Sequence, residues 1–456
     1  MAGIGFELRK VISQGRLSNA FNAAVSGILI VAGPWLLTML TIFFIRLSFE
    51  SIHMVRQGLF QAAVIYSYAF SLSLFSAVHF LFTRITADLL WEKKEREAAA
   101  WLVYFCVGVV VLASLIAGVP AWLVDVDGVR SPGLFRFSLV VLFVAVNLLW
   151  VVMLFISLLK HYVKIMVVYL IGMGASVGLV AWWGSLGGAG AAVLGFAAGH
   201  LLIVAALLWL SLKEFPPLWP SRESRRVIGR YARKYALLVL SGLFFYLGQW
   251  LDKIVFWFTR GAGVDGSSFK LFDSYDFPVY LAGLTVIPGL VYFVIFSETA
   301  FYFSLVKFLN CLAGEPYAVI LQARFNLVRT MNHELRDQSL FQACMTGVAL
   351  LAVLWLFPGP QASLIVLAMV GAFFQLLLLT LLNFLYYFEQ FPMAFAGAGV
   401  FLAFQLIFAG VGVAWPGFPP GVGYLVSTAT AAAVTFALLQ HATKSLDRRI
   451  FLKAVG

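Results

Sequence analysis

Charge is scarce in this chain: 11% of its 456 residues are Asp, Glu, Lys or Arg, whereas 62% are hydrophobic and mean hydropathy is +0.96. A soluble protein of 50.3 kDa could not carry that composition without aggregating, so a soluble globular fold is excluded. Cysteine is scarce too. Cys106, Cys311 and Cys344 have no metal-ligand spacing and offer no disulfide framework. The chain lacks a Walker sequence, a zinc-helix motif and a G-x-S-x-G elbow, so no cofactor, metal site or enzymatic activity is expected. Energy for any transport would come from an ion gradient, from polymerisation by a partner, or from neither. One string, Asp125-Val126-Asp127, has the spacing by which glycosyltransferases hold a metal and a nucleotide sugar. The topology below puts it outside, away from nucleotide sugars and without a soluble domain, so it reads as a turn at a helix end.

What the chain has in plenty is long apolar runs. About 20 such residues cross a hydrocarbon core roughly 30 Å thick, and the sequence predicts spans at 20–46, 57–82, 99–124, 134–159, 163–184, 191–212, 235–258, 277–298, 340–357, 362–387, 391–413 and 423–440. With the N-terminus in the cytoplasm, inner connections and tails hold 24 of the 31 Lys and Arg, outer ones hold 6, and Lys253 lies inside a span. That is the positive-inside pattern, and an even span count returns the C-terminus to the cytoplasm. The net charge of +11 is then accounted for by orientation and anionic lipid, and nucleic acid is not expected as a partner. The first apolar run contains Gly33-Pro34 and is too long for a signal peptide, so it is expected to stay as span one.

The basic stretch 213–234 divides the spans six and six. It predicts an amphipathic cytoplasmic N-terminal helix (1–19), an N-lobe (20–212), a cytoplasmic linker (213–234), a C-lobe (235–440) and a basic cytoplasmic tail (441–456). Ile4, Leu8, Val11 and Ile12 share one face of the first of these, beside Arg9 and Lys10, as on a helix lying on the inner leaflet. Two features suggest duplication. Gly33-Pro34-Trp35-Leu36 in span one matches Gly248-Gln249-Trp250-Leu251 in span seven, and the connections after spans two and eight (83–98 and 299–339) are both long, inner and helical in pattern. In the second, Leu321, Phe325, Val328 and Leu335 follow helical spacing, as in an interfacial helix. Gly174-x-x-x-Gly178 and Gly195-x-x-x-Gly199 read as close-packing motifs. The fold class is therefore an all-α polytopic membrane protein, with about twelve helices in two six-helix lobes.

Polar groups inside spans are informative because an ionisable side chain near the bilayer centre costs at least about 2.5 kcal/mol and usually faces a cavity or a partner. Gln249, Asp252 and Lys253 in span seven are candidates for lining a substrate path. Asp252 and Lys253 are adjacent and point about 100° apart, so they could instead pair with neighbouring helices or snorkel outward. Asn147 in span four and Asn383 in span ten could line the same path or bond across helices. Asp273 and Asp276 at the outer entrance of span eight, and Glu298 at its inner end, could gate it or simply mark helix ends. His79 and His200 read as satisfied packing groups.

The opening Gly3-Ile4-Gly5-Phe6-Glu7-Leu8-Arg9-Lys10, with Trp250-Leu251-Asp252-Lys253, Ser274-Tyr275-Asp276, Thr285-Val286-Ile287-Pro288 and Glu298-Thr299, strongly resembles the PelG family, the inner-membrane transport component of Pel exopolysaccharide export. That family is similar to the multidrug/oligosaccharidyl-lipid/polysaccharide flippases, with twelve helices in two lobes around a central cavity that opens alternately to each side. The resemblance implies transport of an N-acetylhexosamine-rich polymer across the bacterial inner membrane. Its implied partners are a cytoplasmic glycosyltransferase and membrane-embedded accessory proteins, one of them a cyclic-di-GMP sensor. Related drug/cation antiporters use an acidic residue in span one, and 20–46 here contains none, which weakens a cation-coupled drug-efflux reading. A flippase for lipid-linked oligosaccharides and a non-transporting scaffold for the synthase are the alternatives. The first would need cavity arginines for a diphosphate, and span arginines are absent except near ends.

Overall fold

The computed structural model describes residues 33–51, 56–126, 129–158, 162–219, 229–312, 314–357, 359–444 and 446–447. The N-terminal helix expected at 1–19, the start of span one, most of the basic linker's arginine cluster and the end of the tail lie outside the described residues. The helices in chain order are α1 Gly33–Ser51, α2 Gln57–Trp91, α3 Glu95–Leu123, α4 Pro132–Leu158, α5 Tyr162–Glu214 and α6 Ala236–Arg260. After a small antiparallel hairpin, β1 Ala262–Gly263 with β2 Lys270–Leu271, come α7 Asp273–Leu284, α8 Ile287–Tyr292, a π-helical turn Phe293–Ser297 and α9 Glu298–Leu312. The chain ends in α10 Tyr317–Leu356, α11 Pro360–Tyr387, α12 Phe391–Ala414 and α13 Pro420–Thr443.

Ten helical stretches among the described residues are long and apolar enough to cross a membrane. One of them, α5, has 53 residues and would be about 80 Å long if straight, at 1.5 Å per residue, more than twice the hydrocarbon thickness. It breaks at Gly188 (φ 71°, ψ −154°), a backbone region that essentially only glycine enters. Spans five and six are the two arms of this element. Another combines α7, α8, the π turn and α9 into one interrupted span. With the described part of span one in α1, the expected series is accounted for, and the chain is an all-α polytopic membrane protein.

Exposed tryptophans mark the helix ends. Trp122, Trp182, Trp355 and Trp415 stand at ends that the charge pattern assigns to the outer side, and Trp91, Trp209 and Trp219 at ends assigned to the inner side, all more than half exposed. Amphipathic indole rings favour the headgroup region.

Residues 33–250 and 256–272 form one compact unit, and the other contains, among the described residues, 251–255 and everything from 273 onward. The first unit packs Phe75, Phe82, Leu102, Val152, Phe155 and Leu207 into one cluster, and the second packs Ala282 with Ile365, Ala368 and Met369.

Two sequence expectations are corrected. The connection 299–339 is no interfacial helix. Instead α9 and the 40-residue α10 run into each other as a hairpin, and α10 is about 60 Å long, so it extends past the membrane core. Its buried face there is Ala323, Leu327, Met331 and Leu335, whereas Phe325 is 60% exposed. The second correction concerns the arms of α5. Gly195 and Gly199 do lie at a close approach, where an added Cβ would strike the Leu179 backbone or Ser176, but the facing glycine is Gly172, and Gly174 and Gly178 have open space. Small residues let backbones meet in lipid, and the helix rotates until the best-fitting stripe faces in.

Candidate functional site

Five residues of α6, 251–255, belong to the second unit, and they carry Asp252 and Lys253, which are 3% and 8% exposed. Lys253 does not snorkel. Its Nζ donates to Asp252 Oδ1 at 3.2 Å, and its main-chain N–H donates to the same oxygen at 2.8 Å. The lysine stem is long enough to fold back across the angle between adjacent side chains. Asp252 Oδ2 accepts the Tyr275 hydroxyl of α7 at 2.5 Å. The ammonium also lies 5.9 Å from the Tyr275 ring and 5.5 Å from the Tyr424 ring of α13, placements that favour a desolvated cation. Tyr424 in turn donates to Gln375 Oε1 of α11. A charge-neutral pair is thus held from three other helices of its unit, which is how a membrane interior tolerates ionised groups.

A second buried carboxylate lies further along. Glu298, 5% exposed, accepts the Tyr387 hydroxyl of α11 at 2.5 Å. The expectation that it marks a helix end is overturned, because the chain continues helically through the π turn and α9 to Leu312. The π turn ends at Ser297, and such turns recur at functional positions inside helices. Asp273 and Asp276 occupy the first turn of α7, where a helix N-terminus favours negative charge. Asn383 is half-buried on α11.

The first unit holds the remaining candidates. Asn147 is fully buried, accepting from Ser71 Oγ at 2.9 Å and donating to the Phe143 carbonyl at 2.8 Å, so it bonds across helices. Gln249 is half-buried on α6. His200 is satisfied on both nitrogens, by the Phe196 carbonyl at 2.9 Å and the Tyr68 hydroxyl at 2.7 Å. His79 is buried, and its Nε2 has no hydrogen-bond partner among the described residues. At the end that the charge pattern assigns to the outer side, the β-hairpin closes over this unit. Asp265 Oδ2 accepts the Leu59 N–H at 2.9 Å, satisfying an early donor of α2, and Tyr66 donates to the Lys270 carbonyl at 2.8 Å. Asp125, just beyond α3, is pinned there by Ser268, whose N–H donates to the Asp125 carbonyl at 3.0 Å and whose Oγ accepts the Asp125 N–H at 2.9 Å; Asp127 lies outside the described residues. No cluster of three metal-ligating side chains occurs among the described residues.

Sequence reasoning assigned no site role to Tyr275, Tyr387 and Tyr424, which hold the buried charges, or to Gln375, which accepts from Tyr424. The glutamine was accessible to the argument that selected Asn147 and Asn383. Tyr387 and Tyr424 carried no signal of their own, since the chain has 16 tyrosines, and Tyr275 stood out only within the string Ser274-Tyr275-Asp276.

Comparison with solved structures shows a MATE-type fold. The chain superimposes on a MATE protein solved as a proline-to-alanine mutant with TM-score 0.63 at 13% identity, covering 93% of this chain and 97% of that one. For a MOP superfamily transporter from Pyrococcus furiosus the values are 0.57, 12%, 92% and 96%. For the Vibrio cholerae MATE transporter VcmN in its bent form they are 0.57, 12%, 93% and 98%. A search of the curated proteins finds no match. The profile of the PelG family, described as "Putative exopolysaccharide Exporter (EPS-E)", matches residues 1–451. A membrane-transporter fold and a match over nearly the whole length agree, and the chain belongs to the PelG family.

Proposed function

We propose that this membrane transporter moves an N-acetylhexosamine-rich, Pel-like exopolysaccharide from the cytoplasm to the periplasm across the bacterial inner membrane, with both termini cytoplasmic. The observation that carries the reading is the family match over residues 1–451. The polymer is taken from a cytoplasmic glycosyltransferase, with membrane-embedded accessory proteins that include a cyclic-di-GMP sensor. Charge distribution supports the orientation, since 24 of the 31 Lys and Arg fall on the side assigned to the cytoplasm. A largely neutral acetylated glycan suits a chain with few charges and 16% aromatic residues.

In this reading Asp252 and Lys253 are the charged elements of the transport machinery, Gln249 and Asn383 are secondary path residues, and Asn147, bonded to Ser71 of a neighbouring helix, belongs to the packing frame. Because the pair is buried, it acts as a lock between α6 and α7 that is exchanged during the cycle, and it meets substrate only in another state. Asp273, Asp276 and Glu298 contribute to the α7–α9 span that such a lock would hold.

The test deletes the protein while retaining the synthase, and measures hexosamine-rich glycan in secreted, cytosolic and lipid fractions. Complementation follows with wild type, Asp252→Asn and the charge-balanced Asp252→Asn/Lys253→Met, at matched membrane abundance. Lipid-free polymer trapped in the cytosol of the deletion strain is the expected result. A polyprenyl-linked oligosaccharide in the lipid fraction would instead make the protein a flippase. Undiminished secretion by both variants would remove Asp252 from the machinery.

A further inference from the structure

The second unit carries a polar line that plays no part in the reading above. Gln338, Gln342 and Thr346 follow one another at four-residue intervals on one face of α10 and are 2%, 1% and 5% exposed. Gln338 Nε2 donates to Thr380 Oγ1 of α11 at 2.9 Å. Gln342 Nε2 donates to the Thr285 carbonyl at 2.8 Å and to Thr346 Oγ1 at 3.0 Å. Thr285 lies in the break between α7 and α8, just ahead of Pro288, which has no N–H to return to the preceding turn. At this break a side-chain amide from a neighbouring helix supplies a donor to a main-chain carbonyl, as an interrupted span in lipid requires.

This arrangement leaves two acceptors over. The Thr285 carbonyl can only accept, so the orientation of the Gln342 amide is fixed. Its Oε1 lies over Gly289, where an added Cβ would collide with it. Both Gln342 Oε1 and Gln338 Oε1 are buried without a hydrogen-bond partner among the described residues. Beside them Gln338, Ser339, Gln342, Phe373, Leu376 and Leu377 line a cavity of about 10 Å³, close to the least volume that admits one water.

We propose that this cavity holds a single ordered water that donates one hydrogen to each amide oxygen. Two acceptors lacking donors call for a ligand with two donors. The lining contains no carboxylate, so a bare cation there would be buried without a counter-charge. The water completes the polar line of α10 beside the α7–α8 break, and it gives the joint a partner that can reorient when the span bends.

The direct test is an electron cryo-microscopy map of the full chain in lipid nanodiscs, at a resolution that shows ordered water. A peak about 2.7–3.2 Å from both oxygens is expected, and an empty cavity would overturn the proposal. In Gln338→Met the peak should vanish while the bond from Gln342 to Thr285 remains; a peak that persists would overturn it equally. Thermal melts of wild type in sodium, potassium and choline chloride should share one midpoint. A sodium-specific rise that Gln338→Met abolishes would identify a cation in place of water.

Discussion

The two units differ in the buried charge that they hold. In the first, the buried hydrogen bonds join neutral partners: Ser71 with Asn147, Tyr68 with His200, and Thr38 with Tyr169 at 3.4 Å. In the second, Asp252, Lys253 and Glu298 are all at most 8% exposed, each held by a tyrosine hydroxyl or ring. The second and eighth spans also differ. α2 runs unbroken for 35 residues, while the eighth span is interrupted after Leu284 and again by the π turn Phe293–Ser297. Neutral pairs are worth little in a membrane and serve packing, whereas buried charge is costly and marks function. Interruption and charge fall in the same unit, so a bistable element of the kind that switching requires has its natural place there.

The largest effect that would break this contrast comes from Lys253→Met. It leaves Asp252 buried with Tyr275 but without its cation, and breaking a buried pair costs about 3–5 kcal/mol. The expected outcome is a strongly lowered melting midpoint of purified protein and a loss of membrane abundance, with much of the stability returning in Asp252→Asn/Lys253→Met. A single variant as stable as wild type would show that the pair contributes nothing. Next in size is Tyr387→Phe, which removes the 2.5 Å hydrogen bond to Glu298. Hydrogen bonds to charged groups contribute about 1.5–3 kcal/mol, so the midpoint should fall while Glu298→Gln, which keeps an acceptor for the hydroxyl, falls less. The reverse order would mean that Glu298 owes its place to something other than Tyr387.

How much of this was legible in the sequence follows from what hydropathy can carry. The spans, the charge asymmetry and the rarity of Asp252, Lys253 and Glu298 are local properties, and each could be read off. Their partners are not local: Tyr424 lies 171 positions beyond Lys253, and no window reaches it. Gln338 was hidden by its neighbours, because Arg329, His333, Arg336 and Asp337 pull the hydropathy of early α10 down and set the apparent span boundary at 340. Glu298 was misplaced for a similar reason, since α9 continues with Lys307 and Asn310 beyond the apolar stretch. The face chosen by Gly172 over Gly174 and Gly178 depends on side-chain fit across the α5 arms, which spacing alone leaves open.

The smallest effect sharpens the comparison from the neutral side. Ser71→Ala removes the donor to Asn147 Oδ1 but leaves the amide its bond to the Phe143 carbonyl. Interhelical hydrogen bonds in lipid average about 0.6 kcal/mol and reach about 1.7, so the melting midpoint should shift only slightly and polymer secretion should stay at the wild-type level. Asn147→Leu goes further, removing both bonds and placing an apolar side chain in a fully buried site. If the neutral pairs of the first unit serve packing, even this variant should export normally once abundance is matched. Impaired export at wild-type stability would place Asn147 in the path after all, and the division of labour between a neutral frame and a charged, interrupted working unit would no longer stand.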